Sequence, residues 1–142
     1  MSGIPSPYRG ERAAGVPASG RNVYDTSTGS VTVGRIIVGV DTSPSPASYV
    51  APSTGSELSD GRWIGVSCAG VQGSGIQVLR GGSVFIEVSG TVAKGDSVYV
   101  QMSGSPGVVQ NTNAGGAVQL PGATFSEDGP LYGSNTALVK FG

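Results

Sequence analysis

The chain has 142 residues, no histidine, one cysteine, and a formal net charge of −1 with only 12% charged residues. Without histidine there is no imidazole for acid–base or nucleophilic catalysis and none for the usual zinc and iron sites. One cysteine makes neither an intrachain disulfide nor a thiolate metal site. Ordinary soluble domains carry about 25% charged residues, so this surface is either solvated by serine and threonine or covered by neighbours.

Valine occurs 19 times and isoleucine 6 times, against 5 leucines. β-Branched side chains fit a pleated sheet and crowd a helix. Glycine (25), proline (9) and serine (20) supply turns. No window holds an apolar stripe at helical spacing, so the expected fold is all-β with little or no helix.

Residues 1–30 are rich in Gly, Ser, Pro and Arg, with scattered apolar residues. Such a segment buries too little apolar surface to offset its ordering entropy. It reads as an extended N-terminal arm, either a free tail or a segment that orders on a partner. Its interleaved Tyr and Arg favour the partner, since both types are enriched at interfaces. Tyr8, Arg9, Arg12, Arg21 and Tyr24 are therefore candidate contacts to a partner or to another subunit, chosen by residue type and location. The opening MSGIPSPYRG lacks a basic segment followed by an apolar one, so no signal peptide is expected. No run approaches 18 apolar residues, and no membrane partner is expected.

Residues 31–142 form the predicted β-domain. Val31 to Val40 is its first strand, with Gly34 and Gly39 as marks of a bulge or close backbone approach. Residues 41–60 read as a long loop or insertion with three prolines, Pro44, Pro46 and Pro52. Tyr49, at its centre, is the sixth candidate contact. Arg62 to Cys68 is the next strand. Cys68 reads as a buried strand residue, with an intermolecular disulfide as the alternative. Ile76 to Arg80 and Ser83 to Ser89 read as a hairpin around Gly81-Gly82. Val84, Ile86 and Val88 fall on one face of this run, and Ser83, Phe85, Glu87 and Ser89 on the other. Ser97 to Met102 follows the turn Lys94-Gly95-Asp96. Val108-Val109, Ala117 to Leu120 and Ala123 to Phe125 are shorter strands, and Thr136 to Phe141 closes the sheet. Many short strands at this spacing predict a small antiparallel barrel or a sandwich.

Four strings look like motifs and each has a plainer reading. Asp25-Thr26-Ser27 and Asp41-Thr42-Ser43 resemble the aspartic-protease signature, but Asp and Ser also cap turns. Lys94-Gly95-Asp96 resembles an integrin-binding tripeptide but lies between two strands. The glycines from Gly70 to Gly75 lack the strand–loop–helix context of a phosphate cradle. Arg35 and Arg62 are either exposed edge residues or intersubunit partners. Eight basic residues spread along the chain make no nucleic-acid footprint.

The run VLRGGSVFIEVSGTVAKGDSVYV, Val78 to Val100, resembles the cement, or head-decoration, proteins of tailed bacteriophages. The matching positions are Val78, Leu79, Arg80, Gly82, Val84, Phe85, Ile86 and Val88, then Gly95, Asp96, Val98, Tyr99 and Val100. Val33 to Ile37, Pro121 to Phe125 and Ala137 to Lys140 add shorter matches in the family's order. The resemblance implies a small β-barrel or tulip-like domain on the outer surface of an icosahedral phage head. It implies an arm reaching across subunits of the major capsid protein, stabilising their contacts against DNA pressure. It also implies clustering with other copies at local three-fold positions, hence a trimer, with a dimer as the alternative. The protein would be made in the host bacterial cytoplasm and end in the virion. No reaction, metal or cofactor is required. The alternative reading is a β-sandwich module that binds carbohydrate or a protein surface through Trp63 and Tyr99. An enzyme, a dimeric aspartic protease using Asp25 or Asp41, is the weakest reading.

Overall fold

The computed structural model describes residues 19–23, 34–43, 49–68, 76–80, 82–131 and 135–141. They form ten strands: β1 (Ser19–Val23), β2 (Ile36–Gly39), β3 (Tyr49–Val50), β4 (Ile64–Cys68), β5 (Ile76–Arg80), β6 (Gly82–Glu87), β7 (Ser97–Val100), β8 (Val109–Gln110), β9 (Val118–Phe125) and β10 (Thr136–Phe141). Helical structure among these residues is limited to short 3-10 turns such as Gly55–Leu58 and Ala114–Gly116. The β-branched composition thus yields a mostly β fold.

The strands make two five-stranded sheets, ordered β1-β5-β4-β2-β3 and β6-β10-β9-β7-β8. All ladder pairings between these strands are antiparallel. One apolar cluster spans both sheets. Ile36, Val38 and Val66 come from the first; Val84, Ile86, Val98, Val100, Leu120, Phe125 and Val139 come from the second. The period-2 pattern explains this directly: Val84, Ile86 and Val88 are buried, while Phe85 and Glu87 are half-buried and Ser89 is exposed. Ala137 and Val139 repeat the pattern on β10.

Several details differ from the sequence expectation. β5 and β6 are not a hairpin. β5 pairs with β1 and β4, whereas β6 pairs with β10 in the other sheet. The chain turns a corner there, and Gly82 takes a φ of +67° to make it. Alternation reveals which face a residue occupies but not which strand lies beside it. The second sheet is not a closed barrel. One isolated parallel bridge, Val88↔Val109, links the residue after β6 to β8, with Ser89 N–H donating to Val109 O at 2.8 Å. The long segment 41–60 is partly built into the domain. β3 pairs with β2, the turn Gly55–Leu58 follows, and Leu58 joins the core. β1, drawn from the predicted arm, is the edge strand of the first sheet, with Ser19 opposite Arg80 and Val23 opposite Ile76.

Ala117 to Leu120 and Ala123 to Phe125, read as two strands, are one. β9 carries a bulge, since Ser97 pairs with Thr124 but Tyr99 pairs with Gln119. Pro121 and Gly122, with its φ of +75°, fall inside that irregularity, where a missing N–H and a positive φ are both tolerated.

Candidate functional site

The two sheets meet along a seam at the start of β2. Gly34 N–H donates to Ser67 O at 2.7 Å, and Gly34 O accepts from Glu87 N–H at 2.8 Å. One residue on, the Arg35 guanidinium grips the Glu87 carboxylate with Nε–Oε1 at 3.0 Å and Nη2–Oε2 at 3.4 Å. Ile36 N–H then donates to Gly107 O at 2.9 Å. Gly107 has a φ of +93°, and a Cβ there would lie 2.5 Å from Ile36 O, so the backbones touch only because glycine has no side chain. Arg35 thus does not stand free at an edge; it ties β6 of one sheet to the entrance of β2 in the other. A polar cleft of about 250 Å³ opens beside the seam, lined by Glu87, Ser89, Gln101, Ser105 and Asn135 among others. Its one carboxylate is engaged by Arg35.

Arg62 is also held within the chain. Its Nε meets Asp60 Oδ2 at 2.9 Å, and its Nη1 donates to Gly39 O at 3.2 Å and Val40 O at 2.8 Å. That hydrogen-bonded guanidinium holds the Asp60 carboxyl below its ordinary pKa. Arg62 therefore clasps the end of β2, where Gly39 N–H donates to Trp63 O at 2.8 Å. Trp63 is half-buried, with its ring edge-on to Tyr49 at 5.9 Å and 76°. Next to them, Val40 is 38% exposed.

Of the six candidate contacts, Tyr8, Arg9, Arg12 and Tyr24 lie outside the described residues. Arg21 sits in β1 with its backbone opposite Val78. Tyr49 is fully buried within the chain. A ring with no exposed surface has none to offer a partner, and its role is to back Trp63. The two aromatics of the binding-module reading are carried by different sheets: Trp63 precedes β4, and Tyr99 lies on β7 opposite Gln110.

The motif-like strings resolve into turns where they are described. Ser43 N–H donates to Asp41 Oδ1 at 3.0 Å, an Asx turn. At Lys94-Gly95-Asp96, Gly95 has a φ of +90°. Asp96 Oδ2 accepts from the Asn111 amide at 2.9 Å and from Ala93 N–H at 2.8 Å. These bonds hold the Asp96 carboxyl below its ordinary pKa, Asn111 contributing most. Lys94 N–H donates to Asp128 Oδ1 at 2.9 Å, so the Glu127-Asp128 segment braces this turn. Asp25-Thr26-Ser27 lies outside the described residues.

Two structural features went unread in the sequence. The Arg35–Glu87 pair joins residues 52 positions apart, and no local signal announces it. The Glu57 carboxylate accepts Thr54 N–H at 2.8 Å and Ser53 N–H at 2.6 Å. Here the Thr54-x-x-Glu57 spacing was a readable capping signal. Among the described residues, no group of three His, Cys, Asp or Glu side chains is placed to hold a metal ion.

Carboxylates engaged by backbone N–H groups and guanidinium ions thus brace the turns and sheets of this domain. The chain belongs to the structural cement protein family of phages: the model described as "Structural cement protein (E217 gp24/Pam3 gp6)" matches residues 8–141. That is a family of capsid proteins and not a class of enzymes, and it locates the protein in the virion, on the capsid. The fold is similar to a chain of the structure described as "The capsid of Myoviridae Phage XM1". The TM-score is 0.70 and the identity 16%, over 99% of this chain and 92% of that one. No curated protein sequence matches.

Proposed function

We propose that the protein cements the head from outside, binding the outer surface of the icosahedral shell and holding neighbouring major capsid protein subunits together against DNA pressure. The family match over residues 8–141 carries this reading, because it takes in the predicted arm as well as both sheets. Three copies cluster around a local three-fold position. Tyr8, Arg9, Arg12, Arg21 and Tyr24 supply contacts to the shell or to the next copy. Residues 1–30 act as the arm, fastened to the domain by β1, and residues 31–142 as a seated domain whose second sheet curls toward a barrel through the Val88↔Val109 bridge. Many weak contacts repeated by symmetry add through effective concentration, so no single contact needs to be strong. The low charge, 12% of residues, suits a surface largely covered in the assembly.

Co-sedimentation of the full chain with undecorated, expanded heads of the source phage tests this. Saturable binding at a fixed ratio to capsid protein is expected. Pelleting that rises linearly with concentration, or none at all, overturns it.

A further inference from the structure

One end of the first sheet is built as a rigid, partly apolar and acidic surface. Arg62 is fixed by hydrogen bonds to Asp60, Gly39 and Val40, and Trp63 is backed by the buried Tyr49. Val40 stands out from the same end. Arg, Trp and an exposed aliphatic residue held in fixed positions are the composition of an interface anchor. Asp60, paired with Arg62, and Asp41, next to the Val40 carbonyl that Arg62 also holds, set two exposed carboxylates around one guanidinium, so this end carries a negative excess.

The register shows where the arm leaves. Ser19 pairs with Arg80, and Leu79 pairs with Val66, so Ser19 is level with Gly65 and β1 runs parallel to β4, with its N-terminal end on the Trp63 side. β1 is two strand intervals from β4, about 10 Å. Arg12 and Arg9 lie seven and ten residues before Ser19, about 23 and 33 Å of extended chain. A fully extended segment of that length would carry Arg12 and Arg9 past the acidic end of its own sheet, far enough to meet the same end of an adjoining copy. Residues 1–18 carry Arg9 and Arg12 against one acidic residue, Glu11, together with Tyr8, Ile4 and Val16 to cover apolar surface.

We infer that residues 1–18 of one copy dock on the Val40–Arg62–Trp63 end of a second copy, with Arg9 and Arg12 facing its carboxylates. This goes beyond the capsid reading and is tested without heads, so either can fail alone.

Trp63 is the chain's single tryptophan and serves as the reporter. The acceptor is the full chain with Arg9→Glu and Arg12→Glu, which keeps Trp63 but has a reversed arm. The donor is the full chain with Trp63→Phe, which keeps the native arm and is dark. Circular dichroism first establishes that both match the parent. Adding donor should lower the acrylamide quenching constant of the acceptor by about twofold, saturably, and less at high salt. A dark donor that also carries Arg9→Glu and Arg12→Glu should not protect. Equal protection by both donors, or none by either, overturns the inference. So does protection in the parent that persists unchanged on dilution to nanomolar concentration, which would place the arm on its own domain.

Discussion

Gly107→Ala is the substitution that most directly probes how the two sheets are joined. Gly107 has a φ of +93°, and the added Cβ would sit 2.5 Å from Ile36 O and 3.0 Å from Arg35 Cβ. The backbone cannot retreat cheaply, because Gly107 O accepts Ile36 N–H and Gly107 N–H donates to Gln101 O at 3.0 Å. A non-glycine residue at such a φ costs about 1–3 kcal/mol, and overpacking a filled site costs about 1–3 kcal/mol more. The expected loss is about 2–6 kcal/mol, a large part of the ~5–15 kcal/mol that holds a domain folded. Gly61→Ala separates the two terms. Its φ is +92°, but nothing lies within 4 Å of the new methyl group, so it carries the backbone cost alone. Urea unfolding of the parent and both variants, with equal slopes, gives the comparison. Gly107→Ala should be the less stable by at least ~1 kcal/mol. Equal losses in the two variants would refute the close approach at the seam.

The Arg35–Glu87 pair, with side chains 23% and 18% exposed, should show a coupling of about 1 kcal/mol in a double-mutant cycle of Arg35→Met and Glu87→Gln. A coupling within error of zero would mean that the guanidinium does not tie the sheets. Asp96 titrates below its ordinary 3.8 when folded, so its contribution is present above that value and is lost as pH falls through the folded pKa. The melting temperature of the parent should therefore drop more steeply below about pH 4 than that of Asp96→Asn. Parallel pH profiles would argue against the Asn111 and Ala93 bonds.

The faces of the strands were legible, and their partners were not. Val84, Ile86 and Val88 alternate in the sequence and point into the core in the structure, as do Ala137 and Val139. Periodicity is a local property, fixed by the two-residue repeat of the strand. The Gly81-Gly82 pair misled because the same glycines suit a hairpin and a corner between sheets, and only the long-range pairings of β5 with β4 and β6 with β10 decide. Tyr49 looked like a surface anchor because it sits amid proline and serine, yet pairing of β3 with β2 draws its ring inside. Asp41 and Asp96 behaved as turn residues because their bonding partners lie within three positions or in a neighbouring loop. The proposed assembly surface rests on family resemblance alone, since an interface built on many weak contacts would leave no compact motif.

The central claim is that the protein strengthens the shell, and the disruption temperature of the head measures this directly. Expanded heads lacking the protein are heated with and without saturating full-length chain, and shell opening is followed by release of packaged DNA to a dye. The decorated heads should open at a temperature several degrees higher, with the shift saturating as the binding sites fill. Heads that bind the protein at a fixed ratio yet open at an unchanged temperature would contradict a cementing role and leave only a surface decoration.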